Sequence, residues 1–162
     1  MSHRLACELS DRIAAIAPNA GGIGDVNQNV MPPVQVFVCA PTRPVPVFAM
    51  HGLADTCYNY NGGVGTGFSA TNFISIPTTV AGWVSRNGCT MSTTTTYQNG
   101  NATCSTYQGC AADVTLCTVT GMGHAWPGSA FYNLAAMCGG TTTTDLAGTD
   151  ALWDFFAAHP MP

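Results

Sequence analysis

Charged side chains are scarce in this chain of 162 residues. Only 7% of its residues are charged, with 4 Lys or Arg against 8 Asp or Glu and a formal net charge of −4. The four cationic residues are all arginines, and they do not cluster in the sequence. Nucleic-acid binding needs a concentrated basic surface, so we expect no nucleic-acid partner.

Long apolar runs are missing as well, although 46% of the residues are hydrophobic. No run reaches the ~18 residues of a membrane-spanning helix, and we therefore expect no membrane partner. High apolar content with low charge excludes a disordered chain. The length fits one domain over residues 1–162.

Cysteine, by contrast, is abundant, with 8 residues. The sequence contains no Cys-x-x-Cys pair, which is the spacing typical of zinc ribbons and thioredoxin-like motifs. The spacing of the eight cysteines leaves many disulfide pairings open. So many cysteines in a Thr-, Gly- and Asn-rich chain predict disulfides and a secreted, extracellular protein. Residues 1–12 lack the layout of a signal peptide, so we expect an N-terminal part to be missing.

Helical and strand patterns alternate along the chain. Apolar periodicity predicts helices over residues 2–10, 78–87 and 145–159, and strands over 12–17, 45–50 and 113–119. The last helix is expected to bury Leu152, Trp153, Phe155 and Phe156. The turn-rich segment 88–112 is interpreted as a cross-linked excursion before the last strand. Strands alternating with helices favour an α/β fold with parallel strands flanked by helices.

Polar residues follow two of the predicted strands. His51-Gly52-Leu53-Ala54-Asp55 comes directly after strand 45–50, and His124 follows strand 113–119. Ligands of parallel sheets bind at the carboxyl ends of the strands, so we expect Asp55 and His124 on one edge. An aspartate that accepts a hydrogen bond from a histidine fixes its tautomer, and the other ring nitrogen then acts as a general base. Acid before histidine is the order of α/β-hydrolases.

Other interpretations of these residues stay open. Asp55 also fits a turn former or helix cap, and a histidine in a Gly-rich loop is often an ordinary surface residue. His51 with Asp55 and His124 would make a two-His, one-carboxylate metal site. No further carboxylate cluster supports that site, so we expect neither metal nor cofactor. His3 and His159 are interpreted as surface residues without partners.

The sequence holds no recognisable nucleophile. No serine lies in Gly-x-Ser-x-Gly, the strand-to-helix turn that presents the nucleophile in α/β-hydrolases. The segment around Ser69 (Gly-Phe-Ser-Ala-Thr) is the nearest match, but it lacks the final glycine and a preceding strand. Ser69 and Ser129 are the residues to test if the chain proves active alone.

Four motifs carry a resemblance to a known family. They are Gly-His-Ala-Trp-Pro-Gly at 123–128, His-Gly-Leu-Ala-Asp at 51–55 with Asn-Gly-Gly at 61–63, Trp83 with Arg-Asn-Gly-Cys at 86–89, and the terminal segment 152–160. On these motifs the chain resembles the C-terminal part of the secreted polyhydroxybutyrate depolymerase and feruloyl esterase family, α/β-hydrolases related to acetylxylan esterases.

The resemblance implies a serine-type carboxylic ester hydrolase acting on a polyester or a plant cell-wall ester. Asp55 would be the triad acid, His124 the triad base, and Trp126 a residue bordering the substrate. The segment from Met1 onward resembles the helix after the nucleophile, which places the catalytic serine before Met1. The chain would then be a single, N-terminally truncated domain without the nucleophile-bearing half. The alternative is a catalytically inactive truncated product or a binding module.

The crowded segment before the last strand also predicts a specific cross-link. Cys89 is expected to pair with Cys110 or Cys104, because a Thr-, Asn- and Gly-rich segment has little core of its own. A disulfide there stabilises by about 3 kcal/mol. We expect most of the eight cysteines to be oxidised.

The edge of the predicted sheet should promote self-association. Strand 12–17 would pair on its far side with the absent nucleophile strand, and an apolar edge with unpaired backbone groups favours aggregation or dimerisation. Size-exclusion chromatography with light scattering should detect dimers or larger species. A monodisperse monomer with a cooperative thermal transition contradicts this expectation.

Overall fold

The computed structural model describes residues 1–23, 26, 27, 34, 35, 38–66, 71–131 and 134–161. This part of the chain forms a mixed α/β fold. Its elements, in chain order, are α1 (Ser2–Glu8), β1 (Val26–Asn27), β2 (Val34–Gln35), β3 (Val47–Gly52), β4 (Gly63–Val64), β5 (Asn72–Phe73), α2 (Ile76–Arg86), β6 (Thr93–Asn99), β7 (Ala102–Tyr107), β8 (Val114–Val119), α3 (Ala135–Cys138) and α4 (Gly148–Ala158).

The main sheet has four strands in the order β3-β8-β7-β6. β3 and β8 are parallel, whereas β8 with β7 and β7 with β6 are antiparallel. The expectation of a parallel sheet is therefore wrong for most of the sheet. The difference lies in segment 88–112, where the β-branched Thr residues form a hairpin closed by a two-residue turn at Gly100, whose φ is +49°.

The predicted strand over 12–17 is present only in part. Ile16 and Asn19 make isolated parallel bridges to Val47 and Met50, so this segment runs beside β3 without forming a regular strand. Pro18 explains the interruption, because proline has no backbone N–H to donate to a ladder. Its carbonyl still accepts the N–H of Met50 at 2.9 Å.

Every residue of β3 is buried, because apolar side chains cover both faces of the strand. Val47 and Ala49 pack in a cluster with Trp83 and other residues of α2. Phe48 lies on the other face, where its ring is 5.3 Å from that of Phe155 in α4. The helices α2 and α4 thus flank the sheet as expected.

The bulky face predicted for the last helix is only partly buried. The helix begins at Gly148 rather than at residue 145. Phe155 packs against the sheet, but Trp153 is 70% exposed. One stripe of α4 faces the sheet, and Trp153 lies outside that stripe.

All eight cysteines are paired, as Cys7–Cys39, Cys57–Cys138, Cys89–Cys110 and Cys104–Cys117. The prediction of a Cys89 cross-link within the excursion is confirmed, with Cys110 as its partner. Four disulfides are consistent with an extracellular protein. Among the described residues, no helix has the length and apolar character to cross a bilayer.

His3 is buried, which corrects its interpretation as a surface residue. The indole N–H of Trp83 donates to His3 Nδ1 at 3.0 Å, and His3 Nε2–H donates to the Gly21 carbonyl at 3.3 Å. These bonds connect α1 to α2. Burial is the main cause that lowers the pKa of His3 from 6.5 to about 4.

The lowered pKa of His3 predicts loss of stability in acid. Between pH 6.5 and about 4 the unfolded chain binds a proton that the folded chain does not, so the contribution is present above pH 6.5 and lost as the pH falls. The loss from this residue is on the order of 3 kcal/mol. Urea unfolding of the native chain and of His3→Asn at pH 7 and pH 4.5 measures it. The variant should lose less stability on acidification, and equal losses contradict the assignment.

Candidate active site

The parallel pairing of β3 with β8 defines the edge at which the candidate site lies. In their register His51 is opposite Thr118 and Gly52 is opposite Val119. Beyond the last pair, the N–H of Leu53 donates to the Val119 carbonyl at 2.9 Å. The loops that follow the two strands therefore leave the same edge side by side, as the sequence predicts.

The two loops also contact each other directly. The N–H of Ala54 donates to the Met122 carbonyl at 3.0 Å. A Cβ atom at position 52 would collide with the same Met122 carbonyl and with that of Gly123, so only glycine fits there. This close approach is the physical reason for glycine after His51.

Asp55 and His124 form a hydrogen-bonded pair at this edge. Oδ2 of Asp55 accepts from His124 Nδ1 at 2.7 Å, and Oδ1 accepts from the backbone N–H of Tyr58 at 2.9 Å. The Asp55 side chain is fully buried, while 36% of the His124 side chain is exposed. Because Nδ1 carries the donated proton, neutral His124 has its lone pair on Nε2, the atom that a general base uses.

The electrostatics of the pair favour a protonated His124. The hydrogen bond to Asp55 raises the pKa of His124, burial partly opposes it, and the charge of Asp55 adds to the increase. A raised histidine pKa contributes stability below the unfolded value of 6.5 and loses it as the pH rises through the folded value. The same arrangement stabilises an imidazolium formed by proton transfer.

Two residues that contact these loops, Cys138 and Thr141, lie in no sequence motif that predicts the contact. Cys57 is bridged to Cys138, and the N–H of Thr56 donates to the Cys138 carbonyl at 2.9 Å. The neighbouring Thr141 carbonyl accepts the N–H of Gly123 at 2.9 Å. Segment 138–141 thus binds both the loop that carries Asp55 (the acid loop, residues 53–58) and the loop that carries His124 (the histidine loop, residues 120–128).

Asn19 supports the histidine loop as well. Its side-chain amide donates to the Ala125 carbonyl at 3.0 Å, and its Oδ1 is buried without a hydrogen-bond partner. Asn19 follows the segment that runs parallel to β3, so the rule that placed Asp55 on this edge also applies to it. Its position just after predicted strand 12–17 is thus a sequence signal for Asn19.

Trp126 follows His124 by two residues and is 40% exposed. Its indole N–H donates to Thr149 Oγ1 at 3.1 Å, in the first turn of α4. Trp126 and Ser129 line one surface cavity. The Ser129 hydroxyl donates to the Phe131 carbonyl at 2.9 Å. Ser69 lies outside the described residues.

The metal alternative finds no support in the described part of the chain, where no three His, Cys, Asp or Glu side chains are placed to hold an ion. His51 Nε2 is 3.6 Å from Asp55 Oδ2, but it lies closer to the Tyr58 carbonyl, at 2.8 Å. Burial is the main cause that lowers the pKa of His51. His51 is therefore neutral beside Asp55.

His159 has partners, contrary to its interpretation as an isolated surface residue. Its Nε2 is 3.0 Å from Asp113 Oδ2, and its Nδ1 is 2.7 Å from the Phe155 carbonyl. Asp113 precedes β8, so this second His–Asp pair lies at the opposite end of the strand. The Asp113 side chain is 56% exposed, whereas that of Asp55 is fully buried. The pair serves as a matched control for the buried one.

Replacing the buried carboxylate should reverse the pKa shift of His124. In Asp55→Asn the negative charge and the charge-assisted hydrogen bond disappear while the burial of His124 remains, so its pKa should fall to or below 6.5. NMR titration of ¹⁵N-labelled protein measures the change. Asp113→Asn should leave the His124 titration where it is. An unchanged pKa in Asp55→Asn contradicts the assigned cause.

Comparison with known proteins adds one relationship. No family model matches the chain. The chain is 33% identical over 129 residues to feruloyl esterase B of Piromyces equi. The match covers 77% of this chain and 23% of that esterase, so the chain spans about a quarter of its relative. Most of the chain is therefore similar to part of a feruloyl esterase.

Proposed function

We propose that this chain supplies the acid, Asp55, and the base, His124, of a Ser-His-Asp triad in a carboxylic ester hydrolase. The observation that carries the proposal is the 2.7 Å hydrogen bond between His124 Nδ1 and a fully buried Asp55. The pair lies where two parallel strands end, which is where α/β-hydrolases hold these two residues. The similarity to feruloyl esterase B supports the same chemistry.

The proposed mechanism uses the tautomer that Asp55 imposes. A serine Oγ attacks the ester carbonyl, and His124 Nε2 takes the serine proton as the C–O bond forms. Asp55 stabilises the resulting imidazolium without taking its proton. His124 then protonates the departing alcohol oxygen as the ester C–O bond breaks. In the second half, His124 deprotonates a water molecule that attacks the acyl carbon, and it returns that proton to the serine Oγ as the C–Oγ bond breaks and the acid leaves. Trp126 borders the substrate in this proposal.

The nucleophile belongs to a segment outside these residues in this proposal. The 162 residues contain no Gly-x-Ser-x-Gly, and the resemblance of the first helix places the serine before it. The chain alone should therefore be almost inactive, because loss of the nucleophile costs on the order of a millionfold in turnover. The donors that stabilise the oxyanion would lie outside it too.

The substrate we propose is an ester of the plant cell wall, hydrolysed outside the cell. The name of the Piromyces relative, a feruloyl esterase, supports this class. The four disulfides support an extracellular location. The family resemblance also allows a polyester such as polyhydroxybutyrate, which the assay below distinguishes.

The test uses the chain extended upstream to the start of its reading frame. The extended protein should hydrolyse a short-chain nitrophenyl ester and methyl ferulate faster than a polyhydroxybutyrate suspension. His124→Ala should abolish the activity, and Asp55→Asn should lower kcat by about 10⁴-fold with the fold intact, because the wrong tautomer is favoured. Asp113→Asn and His159→Ala, in the second His–Asp pair, should retain the activity.

Three outcomes contradict the proposal. One is undiminished hydrolysis by a folded His124→Ala variant. Another is an extended protein that folds and cleaves none of the three substrates. The third is full activity of the 162-residue chain alone, after which Ser69→Ala and Ser129→Ala identify the nucleophile. Hydrolysis of the polyester alone retains the triad and replaces the substrate class.

A further inference from the structure

We propose that His51 is a positioning residue, which holds the 55–58 turn so that both carboxylate oxygens of Asp55 are fixed toward their partners. The link between this geometry and catalysis rests on the proposed function, but the geometry itself does not. His51 is the penultimate residue of β3, immediately before Gly52, and 1% of its side chain is exposed.

A hydrogen bond from His51 to Tyr58 and a second from Tyr58 to Asp55 link the histidine to the acid. His51 Nε2–H donates to the Tyr58 carbonyl at 2.8 Å, and the Tyr58 N–H donates to Asp55 Oδ1 at 2.9 Å. The carbonyl of Tyr58 is therefore bound by His51 of β3, and its N–H is bound by the Asp55 carboxylate. With the backbone between these residues, the two bonds form a closed ring. This closed ring fixes the turn and directs Oδ2 toward His124, which donates to it at 2.7 Å.

His51 is also close to the oxygen that His124 uses. Its Nε2 lies 3.6 Å from Asp55 Oδ2, too far for a hydrogen bond but near enough to exclude a water molecule between the two groups. The rings of Tyr58 and Tyr60 pack around His51, with centroids 5.6 Å and 5.9 Å away. The packing leaves His124 as the side chain that donates to Oδ2.

The unpaired nitrogen of His51 argues against a role in packing alone. With Nε2 protonated, Nδ1 carries a lone pair, and it is buried without a hydrogen-bond partner. An unsatisfied buried acceptor costs about 1–3 kcal/mol, which an apolar side chain of similar size avoids. The donor on Nε2 is the feature that an apolar residue lacks.

The pKa values of the two histidines beside Asp55 are shifted in opposite directions. Burial holds the pKa of His51 low, whereas the hydrogen bond from His124 to Asp55 raises the pKa of His124. The titratable groups around His51 are Asp55, His124 and the two tyrosines. A neutral His51 holds the acid without competing for its charge, so Asp55 acts on His124.

The experiment compares His51→Leu with His51→Gln in the 162-residue chain. Leucine removes the donor, and glutamine replaces it with an amide N–H. ¹⁵N-edited NMR follows the His124 Nδ1–H resonance and the His124 titration, and thermal unfolding is measured in parallel. Met50→Ala, at the preceding buried position of β3, is the control for loss of core packing.

We expect His51→Leu to lower the His124 pKa by about one unit, since Asp55 is released from its fixed position, and to broaden or abolish the Nδ1–H resonance. His51→Gln should restore both signals, and Met50→Ala should lower the unfolding temperature without moving either. In the extended, active protein, His51→Leu should shift the pH profile of kcat to lower pH, and glutamine should shift it back.

A folded His51→Leu variant with the native His124 pKa and Nδ1–H resonance overturns the proposal. If that variant does not fold, the native chain decides, because the proposal requires His51 to be the neutral Nε2–H tautomer at pH 7 to 8. An imidazolium or an Nδ1–H tautomer in that range overturns it. These signals need no substrate, so they stand apart from any failure of ester hydrolysis.

Discussion

The pairing of β3 with β8 is the interaction on which the rest of the structure depends. It is the parallel pair of the four-stranded sheet, and its register places Gly52 beside Val119 at one edge. The acid loop and the histidine loop emerge there as neighbours, although Asp55 and His124 are 69 positions apart. Slipping the register by one residue would invert the faces of β3, both of which are packed with apolar side chains.

A disulfide keeps these loops in place at this edge. The bridge between Cys57 and Cys138 closes a separation of 81 residues and joins the acid loop to the segment that also holds Gly123. Disulfides that close long loops remove much conformational freedom from the unfolded chain. A buried carboxylate needs such a rigid setting, because each of its oxygens must keep a donor. Here Tyr58 and His124 supply the two donors.

Much of the candidate site was predictable from residue order, and its supports were not. Apolar runs over residues 45–50 and 113–119 identify buried strands, and polar residues just beyond them mark the ligand-binding edge. Nothing local distinguishes Cys57 as a partner of Cys138, or His51 as a ring-closing donor. Those roles depend on contacts between distant segments or on the exact direction of a side chain. The sequence spacing of eight cysteines leaves such pairings open.

By itself the sequence determined the mixed α/β character of the chain, the buried character of β3 and the meeting of Asp55 with His124. Each depends on local apolar patterning and on one rule about strand ends. Tertiary structure alone decided that residues 93–107 form an antiparallel hairpin, because a Thr-rich run suits a loop or a strand equally until a neighbour such as β8 supplies hydrogen bonds. It also decided that His3 is buried, since its partner Trp83 lies 80 positions away and no local pattern predicts an N–H···N bond over that separation.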